Sequence, residues 1–202
     1  MVLDEVFAQQ EYELPKHVEA ALRGAERPLH VVDLGANIGL FGAYILQRFP
    51  DARIQAVEAD PANAEVHAET ITANPSADWT LIRGAAGATA GRARFATGEF
   101  ATSHLAEPDE PALTVERLDV LPLLVDGDFL KIDIEGGEWE ILADPRWRKT
   151  RALAVVVEHH EQFCPLNDPA SAAEAALREA GYEVLVGRNK PAFGAGIIWG
   201  YR

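Results

Sequence analysis

Short, nearly continuous apolar runs alternate along this chain with stretches in which apolar residues return every three or four positions. The first kind reads as strands buried on both faces, the second as helices packed by one face. The pattern predicts strands over 29–34, 53–57, 79–82, 129–134 and 152–157, and helices over 38–49, 61–73, 138–142 and 169–180. An amphipathic segment over 15–24 adds a short helix ahead of the first strand. Residues 84–91, rich in glycine and alanine, read as a loop. Regular stretches over 92–96 and 113–118 flank a polar, acidic connection through Pro111, the segment best suited to a mobile lid. Two last strands, over 182–186 and 194–200, are joined by a turn near Asn189-Lys190-Pro191, too short for anything but an antiparallel pair.

Strands separated by helices imply right-handed crossovers and an α/β fold: a seven-stranded, mostly parallel sheet with a C-terminal antiparallel hairpin and helices on both faces. Residues 1–28 form an N-terminal helical segment that packs on the core or covers the site, and residues 29–202 form one ligand-binding domain. Ligands of such sheets bind beyond the carboxyl ends of the strands. Asp33, Glu58, Asp133 and Glu158 all fall at those ends, which marks a site.

The first strand, Val31-Val32-Asp33-Leu34, runs straight into Gly35-Ala36-Asn37-Ile38-Gly39, a glycine turn leading into a helix. A dinucleotide fingerprint needs Gly-x-Gly-x-x-Gly, but Asn37 and Leu40 stand where its second and third glycines belong. That argues against a nicotinamide-dependent oxidoreductase. What remains, Asp-x-Gly-x-x-x-Gly with Glu58 at the tip of the next strand, resembles motif I of the class I S-adenosylmethionine-dependent methyltransferases. The alternative is a strand-turn-helix corner that uses its glycines for geometry alone.

A second block, Lys131-Ile132-Asp133-Ile134-Glu135-Gly136-Gly137-Glu138, with Leu118-Asp119 upstream, resembles the FkbM family of methyltransferases. Val57-Glu58-Ala59-Asp60-Pro61, Asn63 and Val157-Glu158-His159-His160 extend the likeness, which runs from about 29 to 160. Glu-Ala-Asp-Pro here replaces the family's Glu-Pro-x-Pro, a mild departure. The resemblance implies that Gly35, Ala36, Asn37 and Gly39 hold the methionine portion of S-adenosylmethionine, and that Glu58, with Ala59 beside it, holds the ribose hydroxyls. A carboxylate suits that task, since it accepts two hydroxyl hydrogen bonds at once. Asp33 would orient the cofactor's ammonium, directly or through water, or else satisfy turn amides. Ala86, with Ala85, is small enough to let an adenine lie on the backbone.

Methyl transfer to a hydroxyl needs a base, and the candidate catalytic residues are Asp133, Glu135, Glu158 and His160. His160 is the favoured base, oriented by Glu158 or Asp133, with His159 as its competitor. Glu135 contacts substrate or braces its loop, Glu138 caps the following helix, and Lys131 pairs with a carboxylate or snorkels. No tight spacing demands a metal; Mg²⁺ on Asp133, Glu135, Glu158 and His160 is the alternative use of these groups. Trp139 and Trp147 wall a pocket or pack the core. Thr102-Ser103-His104 contacts ligand but lacks nucleophile-elbow glycines, which excludes a serine hydrolase, and Glu107 to Glu110 reads as a solvated loop.

Composition narrows the partners. With 18 basic and 32 acidic residues the net charge is −14, which opposes binding to nucleic acid and to anionic membranes. Cys164 is the single cysteine, so no intrachain disulfide forms. No leader or long apolar run is present, and the chain reads as cytoplasmic. The expected activity is therefore methyl transfer from S-adenosylmethionine to a hydroxyl of a small molecule, sugar or natural-product intermediate. N-methylation of an amine or amide and non-catalytic cofactor binding are the alternatives. No Asn/Asp-Pro-Pro-Tyr/Phe motif supports methylation of planar base amines.

Overall fold

A computed structural model of the chain describes residues 12–98, 103–106 and 109–202. The first half contains α1 (Lys16–Arg23), β1 (His30–Leu34), α2 (Leu40–Arg48), β2 (Arg53–Glu58), α3 (Pro61–Thr72) and β3 (Asp78–Arg83). Four short strands follow: β4 (Ala85–Gly87), β5 (Gly91–Ala96), β6 (His104–Leu105) and β7 (Leu113–Asp119). The second half contains α4 (Leu121–Asp126), β8 (Phe129–Ile132), α5 (Glu138–Ala143), β9 (Ala154–His160), α6 (Pro169–Glu179), β10 (Glu183–Lys190) and β11 (Ala195–Tyr201).

The main sheet has seven strands in the order β10-β11-β9-β8-β1-β2-β3. All its pairs are parallel except the two made by β11. The chain winds outward from β1 to β3, then returns to β8 on the other side of β1. That reversal opens a crevice at the carboxyl ends of β1 and β8. Successive side chains go to opposite faces: Val31, Phe129 and Val156 meet α1 and α2, whereas Val32, Leu130 and Val155 meet α4, α5 and α6. No helix among the described residues is long and apolar enough to cross a membrane.

Three boundaries differ from the sequence expectation, each with consequence. β8 stops at Ile132, so Asp133 to Glu135 form a loop, and Glu135 adopts a left-handed conformation (φ 52°). β9 continues through Glu158 to His160 because β11 pairs with it to the end, Ala195 opposite His160 and Gly196 opposite His159. Strand alternation then separates the two histidines. Residues 85–87, expected in a loop, pair with Arg117–Asp119 and open a second sheet, β4-β7-β5-β6. Of the acidic connection expected as a lid, residues 99–102, 107 and 108 lie outside the described residues, Thr102, Glu107 and Pro108 among them.

The turn after β1 is forced by contact. Gly35 sits at φ 74°, and a Cβ there would lie 1.7 Å from the Asp133 carbonyl oxygen. β1 and β8 are therefore pressed together at the crevice with no room for a side chain. Asn37, at φ 49°, tolerates the left-handed turn as asparagine commonly does. Replacing Gly35 by Ala combines a strained φ with a backbone clash, and is expected to destabilise the fold by about 3 kcal/mol or more in urea unfolding. A Gly35→Ala variant within about 1 kcal/mol of wild type would contradict this packing.

Candidate functional site

A cavity of about 560 Å³ lies over the carboxyl ends of β1, β2, β8 and β9. It has two chemically different ends. At the first, Gly35, Ala36, Asn37, Glu58, Ala59 and Ala86 line the wall. Glu58 accepts the amides of Asn37 and Asp60, each at 2.7 Å. Burial raises its carboxyl above the usual range, and those two amides work against the rise. Asp60 starts α3 in turn: it accepts the Ala62 and Asn63 amides, with Pro61 at the first helical position, and Ser103 donates to it at 2.8 Å.

The amides of the glycine turn do not face the cavity. Gly35 and Ala36 both donate to the Val57 carbonyl at 3.0 Å, Asn37 donates to Glu58, and Ile38 donates to the Asn37 side chain at 2.8 Å. A pyrophosphate needs such amides free. The turn is thus closed to a phosphate, while the Glu58 carboxylate keeps lone pairs for hydroxyl donors. Gly39 does not line the cavity; at φ 89° it starts α2, and a Cβ there would meet His67 at 2.8 Å.

At the second end stand Asp133, Glu135, Glu158 and His160, all on the cavity wall. Tyr12, ahead of α1, brings its hydroxyl to 2.9 Å from Asp133 Oδ2 and 3.0 Å from Glu158 Oε2. Lys190, at the end of β10, donates to Glu158 Oε1 at 2.6 Å. Glu138 is wholly buried and accepts the amides of His160 and Gly136 while facing His160 Nδ1 at 3.1 Å. The other ring nitrogen lies 3.4 Å from Glu135 Oε2. Glu138, expected as a helix cap, instead locks the imidazole.

Lys131 sits between the two ends, buried in the middle of β8. Its Nζ lies 3.3 Å from Asp33 Oδ1 and 3.2 Å from Asp133 Oδ2, and donates to the Gly35 carbonyl at 3.0 Å. Burial alone would lower its affinity for a proton; Asp133 and Asp33 outweigh burial and hold it charged. Asp33 lies deeper than the other acidic strand tips. It is fully buried beneath the cavity and absent from its wall, because β1 alternation points it at Lys131 rather than at the ligand.

The charges set the protonation states. Burial and the Asp133 charge push Glu135 to about 7 and Glu158 to about 7. Burial would lower His160, but Glu138 and Glu135 outweigh it and raise the imidazole to about 9. Those carboxylates favour the imidazolium form of His160 at neutral pH, whereas the sequence reading has His160 acting as base. Its neighbour His159 lies on the other face, against Gly196, and burial lowers it. Asp133, Glu158 and His160 offer ligand atoms within 4.8 Å of one another, but Tyr12, Lys131 and Lys190 already face these carboxylates, a donor set that supplies its own cations. Trp139 donates to the His160 and Gln162 carbonyls and Trp147 is core, so neither walls the cavity. Tyr12 and Lys190 carry no motif that would reveal them, whereas Glu138 stands in the Lys131–Glu138 block but its contact with His160 depends on β9.

Comparison with known proteins gives the family and the fold. A family model described as methyltransferase FkbM domain matches residues 33–184. The crystal structure of methyltransferase FkbM from Methylobacillus flagellatus KT superposes with a TM-score of 0.63 at 16% identity, covering 96% of this chain and 50% of that one. Two curated relatives match locally. One is a tRNA1(Val) (adenine(37)-N6)-methyltransferase from Porphyromonas gingivalis, 40% identical over 55 residues (27% of this chain, 22% of that protein). The other is malonyl-[acyl-carrier protein] O-methyltransferase 1 from Ilyobacter polytropus, 25% identical over 75 residues (37% of this chain, 28% of that protein). The chain spans half the length of the FkbM structure and under a third of either relative. The fold is the Rossmann-like fold of the class I methyltransferases, and the chain belongs to the FkbM methyltransferase family.

Two stability outcomes follow from the charges. Lys131→Met strands Asp33 and Asp133 without their cation and is expected to cost about 3–5 kcal/mol in urea unfolding. Adding Asp33→Asn should restore part of that loss; no restoration would sever the pair. His160 rises from 6.5 to about 9 on folding, so its contribution is full below pH 6.5 and lost as pH climbs through about 9. The stability lead of wild type over His160→Gln should shrink by about 3 kcal/mol across that window. A lead independent of pH would refute the imidazolium assignment.

Proposed function

Starting from membership in the FkbM methyltransferase family, we propose that the chain transfers a methyl group from S-adenosylmethionine to a hydroxyl of a small molecule, sugar or natural-product intermediate. The observation that carries this reading is the cavity's division: a fixed carboxylate beside a phosphate-closed turn at one end, a proton-handling cluster at the other. The residues suit this cofactor, which has no phosphates. Glu58 accepts the ribose hydroxyls, Gly35, Ala36 and Asn37 pass along the methionine portion, and Ala59 and Ala86 leave a flat wall for the adenine. Gly39 serves by closing the turn, and Asp33 serves through Lys131. Residues 29–202 are assigned to the cofactor-binding domain and residues 1–28 to a segment covering it.

When bound, S-adenosylmethionine supplies a methyl group already activated on a sulfonium. What the chain must add is alignment, worth on the order of 7–11 kcal/mol, and a base, worth ~10²–10⁴-fold. Glu135 is the base in this reading. It faces the cavity, titrates near 7, and is held in a left-handed conformation of the kind found where function over-determines geometry. The His160 imidazolium beside it stabilises the carboxylate before transfer, and Glu138 keeps the ring in place. Asp133, held ionised by Lys131 despite burial, and Glu158 fix the acceptor hydroxyl. The end of β10 and the turn after it, with Arg188, Ala192 and Phe193, wall the acceptor side. A small acceptor is favoured over nucleic acid by the net charge of −14.

Glu58→Ala should weaken S-adenosylhomocysteine binding in calorimetry by ~1.5–3 kcal/mol per lost hydrogen bond. Unchanged affinity would remove the ribose assignment. Methyl-labelled S-adenosylmethionine offered with paired acceptors, one bearing a hydroxyl and one an amine on the same scaffold, should label the hydroxyl. Label on the amine alone would replace O- by N-methylation. Glu135→Gln should lower the labelling rate by ~10²-fold or more.

A further inference from the structure

Tyr12 stands where no sequence motif places a functional residue, yet it touches two of the site's carboxylates. We propose that Tyr12 is a positioning residue of the acceptor end, clasping the Asp133 and Glu158 carboxylates side by side and making the N-terminal segment part of the transfer machinery. The proposal rests on the reading of those carboxylates as acceptor-side groups.

A phenol has one hydrogen to donate, and its oxygen lies 2.9 Å from Asp133 Oδ2 and 3.0 Å from Glu158 Oε2. The single hydrogen is therefore shared between the two carboxylate oxygens, both of which accept from the phenol. Packing fixes the ring independently of the hydroxyl. It meets Phe41 edge-on with centroids 5.4 Å apart, and Lys131 Nζ lies 5.5 Å from its centroid. Two residues on, the Leu14 amide donates to the Tyr44 hydroxyl at 3.2 Å, pinning the segment to α2. A phenylalanine would fill the same space, so the hydroxyl's contribution is to the carboxylates.

The groups facing this pair come from every neighbouring element: Asp33 from β1, Lys131 from β8, His160 from β9, Lys190 from β10, and Glu135 from the loop after β8. The hydroxyl adds a neutral donor to these contacts, and donation favours the ionised form. Without it, the half-buried Asp133 and the buried Glu158 keep Lys131 and Lys190 but lose the donor that bridges them.

The test is a carbon-13 NMR titration of the side-chain carboxyl groups in the full chain, wild type against Tyr12→Phe. The upper titration step of the Asp133–Glu158 pair should move up by about one pH unit, a tenfold change in proton affinity. Identical steps in the two proteins would overturn the proposal and leave Tyr12 a packing residue. Should Tyr12→Phe fail to fold by circular dichroism, 3-fluorotyrosine at position 12, a stronger donor, should lower the step instead, and no movement would again overturn it. Calorimetry of wild type with S-adenosylhomocysteine reports on the methyltransferase reading separately, since the titration needs no ligand.

Discussion

One buried ammonium organises this molecule. Lys131 Nζ lies at the centre of the sheet, out of water, between Asp33 and Asp133 and against the Gly35 carbonyl. A charge in that place is tolerable only when paired and hydrogen-bonded. The pairing ties β1 to β8 at the crevice where the strand order reverses. It also lets Asp133 remain ionised, which raises Glu135 and Glu158 beside it and so helps define the proton chemistry of the cavity. The rings of Tyr12 and Phe41 cover the same ammonium, at 5.5 and 5.8 Å.

From that centre the site divides by hydrogen-bond accounting. On the β1–β2 side the turn amides are already spent on Val57, Glu58 and Asn37, and what faces the cavity is acceptor rather than donor. On the β8–β9 side, Asp133 is held ionised by Lys131 while Glu135 and Glu158 beside it are pushed up to about 7, which brings two carboxyl groups into the neutral range. A ligand with hydroxyls at one end and a cationic reacting centre toward the other meets complementary groups along the whole length.

Much of this was legible in the chain because strand periodicity is local. Alternating runs placed the parallel strands, the closing hairpin and the acidic tips, and Gly35 announced a close approach that proves to be backbone on backbone. The missing second and third glycines argue against a dinucleotide, and the structure gives a physical counterpart: Asn37 and its neighbours spend the turn amides on protein groups. What stayed hidden depends on distant partners. That β9 runs on to His160 is decided by β11, so the histidines' faces could not be read from their own segment. The acidic strand tip at Asp33 is legible in the sequence, but only the register with Lys131 shows which cation the carboxylate meets. Tyr12 and Lys190 reach the cluster from opposite ends of the chain, and a protonated His160 is a sum over carboxylates from three segments.

The most direct test of the account is a crystal structure of the chain with S-adenosylhomocysteine. The account predicts the ribose hydroxyls on the Glu58 carboxylate and the sulfur turned toward Asp133 and Tyr12, over an unmoved Lys131. A ligand bound elsewhere, or one whose ribose avoids Glu58, would contradict it.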